Sequence, residues 1–296
     1  MRKPRWLVPV ALAAVLSIVA AACKEDTTTT DGTEPTAGQD LLAQIQAEGV
    51  IRVSTDPAYA PQSFLDPDTG EWEGFDIDVA EEIAVRLGAT VEWETPKWNA
   101  ITSGGWADRW DMSVGSMTVT PERQEVLNFS PAYYYTPAAV AVHTDNTSVA
   151  DVAVDLDGAK IGVCGSCTYD FYLQKNLDVV GETIDFVIDD ADIVNGYETD
   201  TDAIRDLTLG DGVRLDAVIS ALPTLQEAIN AGEPIKVVGD PLYHEPLAVA
   251  FDRESSLDAA SLVEEVGGII EEMHQDGTLS ELSNKWYGYD LTVKTS

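Results

Sequence analysis

Residues 74–94 read GFDIDVAEEIAVRLGATVEWE. Ile77, Ala80, Ile83, Ala84 and Leu87 recur at the spacing that stacks side chains along one face of a helix, and Gly88 supplies the stop. Residues 90–94 then change to the pattern of a strand. A helix feeding a strand within some twenty residues is the repeating unit of α/β folds.

Working outward, the same alternation continues in both directions. Residues 50–54 form a short β-branched run ahead of a Pro-rich loop at 56–68. Downstream, residues 98–104 read as a short helix, 112–114 lie in a strand and 137–143 form another apolar strand. A second series starts with a strand at 160–163, which turns through Cys164-Gly165-Ser166-Cys167 into a helix at 168–176. Residues 184–188, 202–209, 216–220, 222–231 and 235–238 carry the alternation on. A strand at 247–251 precedes a long helix with Leu262, Val266, Ile269, Ile270 and Met273 on one face, then a last helix at 279–287. Repeated βα units predict α/β architecture with mostly parallel sheets. Hydrophobic residues make up 45% of the 296, enough for a core or two.

The N-terminus reads as an export signal. Arg2, Lys3 and Arg5 precede an apolar run at 7–22 that is short for a membrane span and lacks a basic flank behind it. Residues 1–22 are therefore expected to be a lipoprotein signal peptide. Ala20-Ala21-Ala22-Cys23 resembles a bacterial lipobox, which makes Cys23 the expected lipidation site. An ordinary signal peptide or short anchor with an incidental cysteine is the other reading. Residues 24–40, KEDTTTTDGTEPTAGQD, have almost no apolar content, so residues 23–40 are expected to be a disordered tether.

The full chain carries 17 Lys and Arg against 52 Asp and Glu, a formal charge of −35. Without residues 1–22 there are 14 basic residues against 52 acidic ones, a formal −38. Such a field argues against nucleic acid as a partner. It serves solubility, including in salty surroundings, and attracts cationic ligands.

Against that acidity, Gly115-Ser116-Met117-Thr118-Val119-Thr120-Pro121-Glu122-Arg123 stands out. Three hydroxyls precede a guanidinium whose planar fork matches a carboxylate in two parallel hydrogen bonds. A surface salt bridge at a strand end is the plainer explanation, and neighbouring residues decide between the two.

Five stretches, in order, resemble landmarks of one family. Asp56-Pro57-Ala58-Tyr59-Ala60-Pro61 is similar to its first ligand loop, and Gly74-Phe75-Asp76-Ile77-Asp78-Val79-Ala80 to its signature helix start. Residues 115–123 resemble its second ligand loop. Asp216-Ala217-Val218-Ile219 and Gln275-Asp276-Gly277-Thr278 match two further landmarks. The family is the family 3 extracellular solute-binding proteins, which serve ABC importers, mainly for polar amino acids, and the similarity spans about residues 49–290.

The resemblance implies an α/β, two-lobed periplasmic-binding-protein fold of type II, hinged by two crossover strands. Residues 41–138 plus 246–296 would form lobe 1, and residues 139–245 lobe 2. Arg123 would grip a ligand carboxylate, with the Thr118 N–H and the Ser116 hydroxyl beside it and the Thr168 N–H added from lobe 2. Free N–H groups at a helix start, where Thr168 stands, suit an anion. Tyr59 and Trp98 hold the positions of the aromatic pair that sandwiches the ligand side chain. Asp56 aligns with an acid that meets the distal ammonium of basic ligands, and local turn capping is its alternative role. One departure stands out: Ala221 occupies the place of the aspartate that usually holds the α-ammonium. Either another acid substitutes, Asp189, Asp190 and Asp192 being near in sequence, or the ligand lacks a free α-ammonium.

Cys164 and Cys167 are left once Cys23 is set aside, and the compartment is oxidising. Three readings are open for them: a small structural disulfide, two free thiols, or a redox pair between strand and helix. His143, His244 and His274 lack metal-ligand spacing, and no nucleophile elbow, P-loop or dinucleotide fingerprint follows a strand. Asp66-Pro67-Asp68-Thr69-Gly70 opens like a calcium loop, but Ile77 stands where the closing glutamate belongs, so a surface turn is expected.

The expectation is thus a non-enzymatic, lipid-anchored substrate-binding protein of an ABC transporter, a monomer outside the cytoplasm. Its site would be in the periplasm or at the outer face of the cytoplasmic membrane. It would need no cofactor or metal, and would deliver a small carboxylate-bearing solute, an amino acid or derivative, to a membrane permease. A thiol-disulfide redox lipoprotein and a ligand-sensing receptor without transport are the alternatives.

Overall fold

The computed structural model describes residues 40–294. The expected signal peptide, Cys23 and residues 24–39 of the tether lie outside that range. Asp40, assigned to the tether, starts the folded part instead. Its carboxylate accepts from the Ala43 N–H at 2.8 Å and caps α1 (Leu41–Glu48).

Strand β1 (Val50–Ser54) is followed by the small strands β2 (Ala58–Tyr59), β3 (Ser63–Leu65) and β4 (Trp72–Glu73), which form a sheet of their own. In the β3–β4 connection Asp66 Oδ1 accepts from the N–H groups of Asp68 and Thr69, the surface turn expected of that stretch. Next come α2 (Phe75–Leu87) and β5 (Thr90–Glu94), the pair read from residues 74–94. The start of α2 depends on Gly74. Its φ is +132°, and a Cβ there would stand 2.2 Å from the Gln62 carbonyl oxygen, so no other residue fits.

Helix α3 (Trp98–Thr102), β6 (Met112–Thr118), α4 (Pro121–Gln124) and the long β7 (Leu127–His143) complete the first pass. The second series comprises α5 (Val152–Asp155), β8 (Ala159–Cys164), α6 (Thr168–Leu173), β9 (Ala191–Tyr197), α7 (Asp200–Leu207), β10 (Ala217–Ala221) and α8 (Leu222–Asn230). The chain returns along β11 (Ile235–Asp252) and ends with α9 (Ala260–Asp276) and α10 (Thr278–Tyr287).

One eight-stranded sheet runs β5-β1-β6-β11-β7-β10-β8-β9. Its outer wings, β5-β1-β6 and β10-β8-β9, are parallel, as expected of βα units. The middle is not: β7 and β11 pair antiparallel over most of their length, interrupted between Val238 and Tyr243, and each pairs antiparallel with the wing beside it. These two strands pass between the halves of the molecule, so the mostly parallel prediction holds only for the wings. Residues 184–188, read as part of the alternation, belong to no element, and the strand there is β9. Residues 115–118, read as loop, continue β6.

Cores form on both sides of the crossover. Ile51, Phe75, Ile83, Val114, Tyr133, Val249, Leu262 and Ile270 belong to one. On the other side Val140, Ile161, Tyr172 and Ile219 form a second, and Ala141, Leu207, Leu215 and Leu225 a third, on the opposite face of the sheet. Each fully buried large aliphatic or aromatic side chain contributes roughly 1.5–3 kcal/mol. Trp106 and Trp110 pack with Ile101 and Met117 in a smaller cluster.

Candidate functional site

A cavity of ≈ 450 Å³ lies between the halves, walled by the ends of β1 and β6, the β8–α6 turn, the start of α7 and the crossover strand β11. Asp56, Tyr59, Trp98, Ser116, Thr118, Arg123 and Thr168 all line it. Residues more than a hundred positions apart in sequence therefore share one wall.

Arg123 is the buried cation of the cavity. The Thr120 hydroxyl caps the short helix α4 by accepting from the Arg123 N–H at 3.2 Å, which fixes where the side chain departs. The guanidinium is buried and forms no salt bridge among the described residues. Nη1 donates to the Thr118 carbonyl at 2.9 Å and Nη2 to the Ser166 carbonyl at 3.4 Å. Burial lowers its pKa to about 10, with the charges of Glu245 and Glu122 opposing the shift.

The Trp98 ring covers one face of this guanidinium, centroid to Cζ 5.1 Å, and its Nε1 donates to the Ser166 carbonyl at 3.3 Å. Tyr59 and Tyr169 face one another across the cleft, with their hydroxyls 3.5 Å apart. Tyr59 thus has a second aromatic partner that the sequence did not reveal. The Ser116 hydroxyl does not point freely at the cavity: it donates to Asp76 at 2.7 Å and shares a 2.5 Å hydrogen bond with Tyr134. Ser116 has φ +53°, and its N–H donates to the Tyr133 hydroxyl, so this network shapes the strand end.

From the other half, a disulfide joins Cys164 and Cys167 across the β8–α6 turn. The turn presents the Ser166 carbonyl that both Arg123 and Trp98 engage. Gly165 permits its tight passage, because a Cβ there would come within 2.8 Å of the Asn195 carbonyl. Thr168, at the first position of α6, directs its hydroxyl to Glu245 Oε1, which also accepts from Thr118 Oγ1 at 2.7 Å. One carboxylate oxygen on the crossover strand therefore ties both halves together.

Glu245 and Asp200 are the site residues that sequence reasoning missed. Ala221 is fully buried at the start of α8 and does not line the cavity, while Asp189, Asp190 and Asp192 are exposed and away from it. Asp200 instead enters the cavity from the first turn of α7, 6% exposed, with Oδ1 lacking a hydrogen-bond partner among the described residues. Burial and then the charges of Asp56 and Glu245 push its pKa well above the ordinary carboxylate value, with the nearby Ser220 hydroxyl only partly offsetting them. Burial likewise raises Glu245 and Asp56. Asp56 also makes the turn contact considered for it, accepting from the Ala58 N–H at 2.8 Å. The clue to Asp200 was Thr199, whose hydroxyl caps the helix by accepting from the Asp202 N–H. A capped start after a strand puts the next side chain at the sheet's carboxyl edge.

Residues 51–289 match the model of the bacterial extracellular solute-binding proteins, family 3. The chain belongs to this family. Relatives include the L-cystine-binding protein TcyJ of Escherichia coli K12, 28% identical over 86% of this chain and 89% of that protein. The probable amino-acid-binding protein YxeM of Bacillus subtilis is 26% identical over 99% of both chains. Among solved structures, the ancestral amino acid-binding protein AncCDT-1, a precursor of cyclohexadienyl dehydratase, superposes with TM-score 0.69 at 27% identity, covering 83% of this chain and 99% of its own. Members of family 3 are extracytoplasmic binding proteins with two lobes. The crossover strands β7 and β11 and the cavity between the halves are that architecture in this chain.

Proposed function

We propose that this family 3 member is the substrate-binding component of an ABC importer and captures a free amino acid between its lobes. One observation carries the reading: a buried guanidinium with only carbonyl acceptors and a buried carboxylate with an unpartnered oxygen line the same cavity. A buried charge left without a counter-charge costs several kcal/mol. An α-amino acid supplies both counter-charges on adjacent atoms: its carboxylate to Arg123, its ammonium to Asp200. The Thr118 and Thr168 N–H groups complete the carboxylate shell, and Tyr59, Trp98 and Tyr169 wall the side chain. Asp200 thus takes the role for which Ala221 is unsuited, and a ligand with a free α-ammonium fits.

In this reading lobe 1 comprises residues 41–138 and 246–296, and lobe 2 residues 139–245, with β7 and β11 as hinge. The ligand stabilises the closed arrangement because it touches both lobes at once. Lipidation at Cys23 would hold the monomer at the membrane beside its permease, and the protein carries out no chemistry. The Cys164–Cys167 disulfide braces the turn that bears Ser166, which favours a structural role for it over redox exchange.

The test is calorimetric titration with a panel of amino acids, their carboxamides and their N-acetyl derivatives. At least one free amino acid should bind at micromolar concentration or tighter, and blocking either end should abolish binding. Tight binding of both blocked forms would refute the two-ended clamp.

A further inference from the structure

The charges inside the cavity do not balance. Three carboxylates line it, Asp56 from the end of β1, Asp200 from α7 and Glu245 from β11, against the single guanidinium of Arg123. Lys97, also on the wall, is already paired with Glu198 at 2.5 Å across the cleft. Every other lining side chain is neutral, so the formal charge of the cavity is −2. A neutral amino acid, with one carboxylate and one ammonium, leaves that excess untouched.

Glu245 is the acid that the clamp just described does not use. It is 2% exposed; the two threonine hydroxyls on Oε1 hold it in place, and the charge of Arg123 offsets only part of the cost of burying it. Asp200 and Glu245 are close enough that each charge disfavours the other, and burial disfavours both. A second cation in the cavity relieves that conflict. The rings of Tyr59, Tyr169 and Trp98 beside it accept a cation on their faces as readily as an alkyl stem.

We propose that the ligand is a basic amino acid, one carboxylate and two cationic groups, and that Glu245 is the residue that selects for the second positive charge. This rests on the amino-acid reading of the same site and adds the sign of the ligand's side chain. The carboxylate pairs with Arg123 and the α-ammonium with Asp200. The distal cation compensates the remaining acids, Glu245 on the hinge and Asp56 on lobe 1.

The decisive comparison uses arginine and citrulline, which have nearly the same shape and differ by one charge, with lysine and methionine as a second pair. Calorimetry at fixed pH and salt should give at least tenfold tighter binding of the basic member in one pair or both. Glu245→Gln removes the charge, and its amide oxygen can still accept from the threonine hydroxyls. It should reduce the basic-to-neutral affinity ratio at least fivefold. A purely structural role at the hinge would weaken both members alike and leave the ratio unchanged, and that result would overturn the assignment of Glu245. Neutral amino acids binding in an Arg123-dependent manner, with basic ones no tighter, would overturn the charge inference but spare the amino-acid reading. Binding of no amino acid in the panel would overturn both.

Discussion

Arg123 shows how little of a residue's role its own sequence neighbourhood contains. Taken alone, the stretch 115–123 reads more plainly as a strand-end salt bridge, whereas the fold buries the guanidinium beside carbonyls and gives it Trp98 as a lid. Arg123→Ala should weaken binding of the cognate amino acid about a hundredfold or more, since breaking a desolvated charge pair typically costs about 2–5 kcal/mol. A near-unchanged calorimetric affinity would remove Arg123 from the carboxylate site. Asp200→Asn keeps the shape and removes the charge. It should weaken free amino acids at least tenfold, while removing a carboxyl whose ionisation burial disfavours, and so raise the melting temperature of the ligand-free protein at pH 8 more than at pH 5. A fall in both affinity and stability would mean that Asp200 serves the fold and not the ligand. That Asp56, Tyr59, Trp98, Ser116, Thr118, Arg123 and Thr168 share one cavity was legible through the family resemblance, which draws their separate stretches together. Asp200 and Glu245 were not, because each acquires its role only through the lobe-to-lobe approach that sets them around one cavity.

Elements were easiest to read where periodicity ran long. Helix α2 and strand β5 fall within a residue of the pattern at 74–94, because an apolar face repeating over several turns has one way to be buried. Residues 184–188 misled because a short apolar run satisfies a strand pattern and also serves as loop packing, which is what Ile188 does in the core of the second half. The crossover strands were legible only through the family resemblance, and their antiparallel pairing not at all, since no local pattern distinguishes a strand that changes lobes. Two junctions can be tested. Gly74→Ala forces a Cβ against the Gln62 carbonyl at a φ of +132°, so it should destabilise the protein by more than about 2 kcal/mol in urea titration. A loss below about 0.5 kcal/mol would show that this approach has slack. Cys164 and Cys167 close a very short loop, so Cys167→Ser should cost at most about 2 kcal/mol of stability from loop entropy. Its larger effect should be on ligand affinity, several-fold weaker as the Ser166 carbonyl loses its fixed position. Unchanged affinity with full loss of stability would confine the disulfide to the fold.

For the whole molecule, buried acids and a formal charge of −35 point toward one pH dependence. Asp76, beneath the cavity, accepts from Ser116 and from the Tyr133 hydroxyl at 2.7 Å, yet burial carries its pKa from 3.8 to about 7. Asp56, Asp200 and Glu245 move in the same direction. An acid whose folded pKa exceeds its unfolded one keeps its proton after the unfolded chain has released it. Its contribution is complete below the unfolded value and disappears as pH rises through the folded one. The ligand-free protein should therefore be more stable at pH 5 than at pH 8. Asp76→Asn should flatten that slope, whereas general repulsion among surface acids would leave it unaltered. Ligand binding inverts the trend. An ammonium reaching Asp200 requires the ionised carboxylate, so binding must expel the proton that burial retained, and affinity should increase from pH 5 to pH 8. Calorimetric heats measured in buffers of different ionisation enthalpy count that proton directly. A net release near pH 6 that disappears in Asp200→Asn is the expected result. Zero release, with affinity independent of pH, would show that the carboxylate is already charged before the ligand arrives, and the stability of the free protein would then have to come from groups other than the cavity acids.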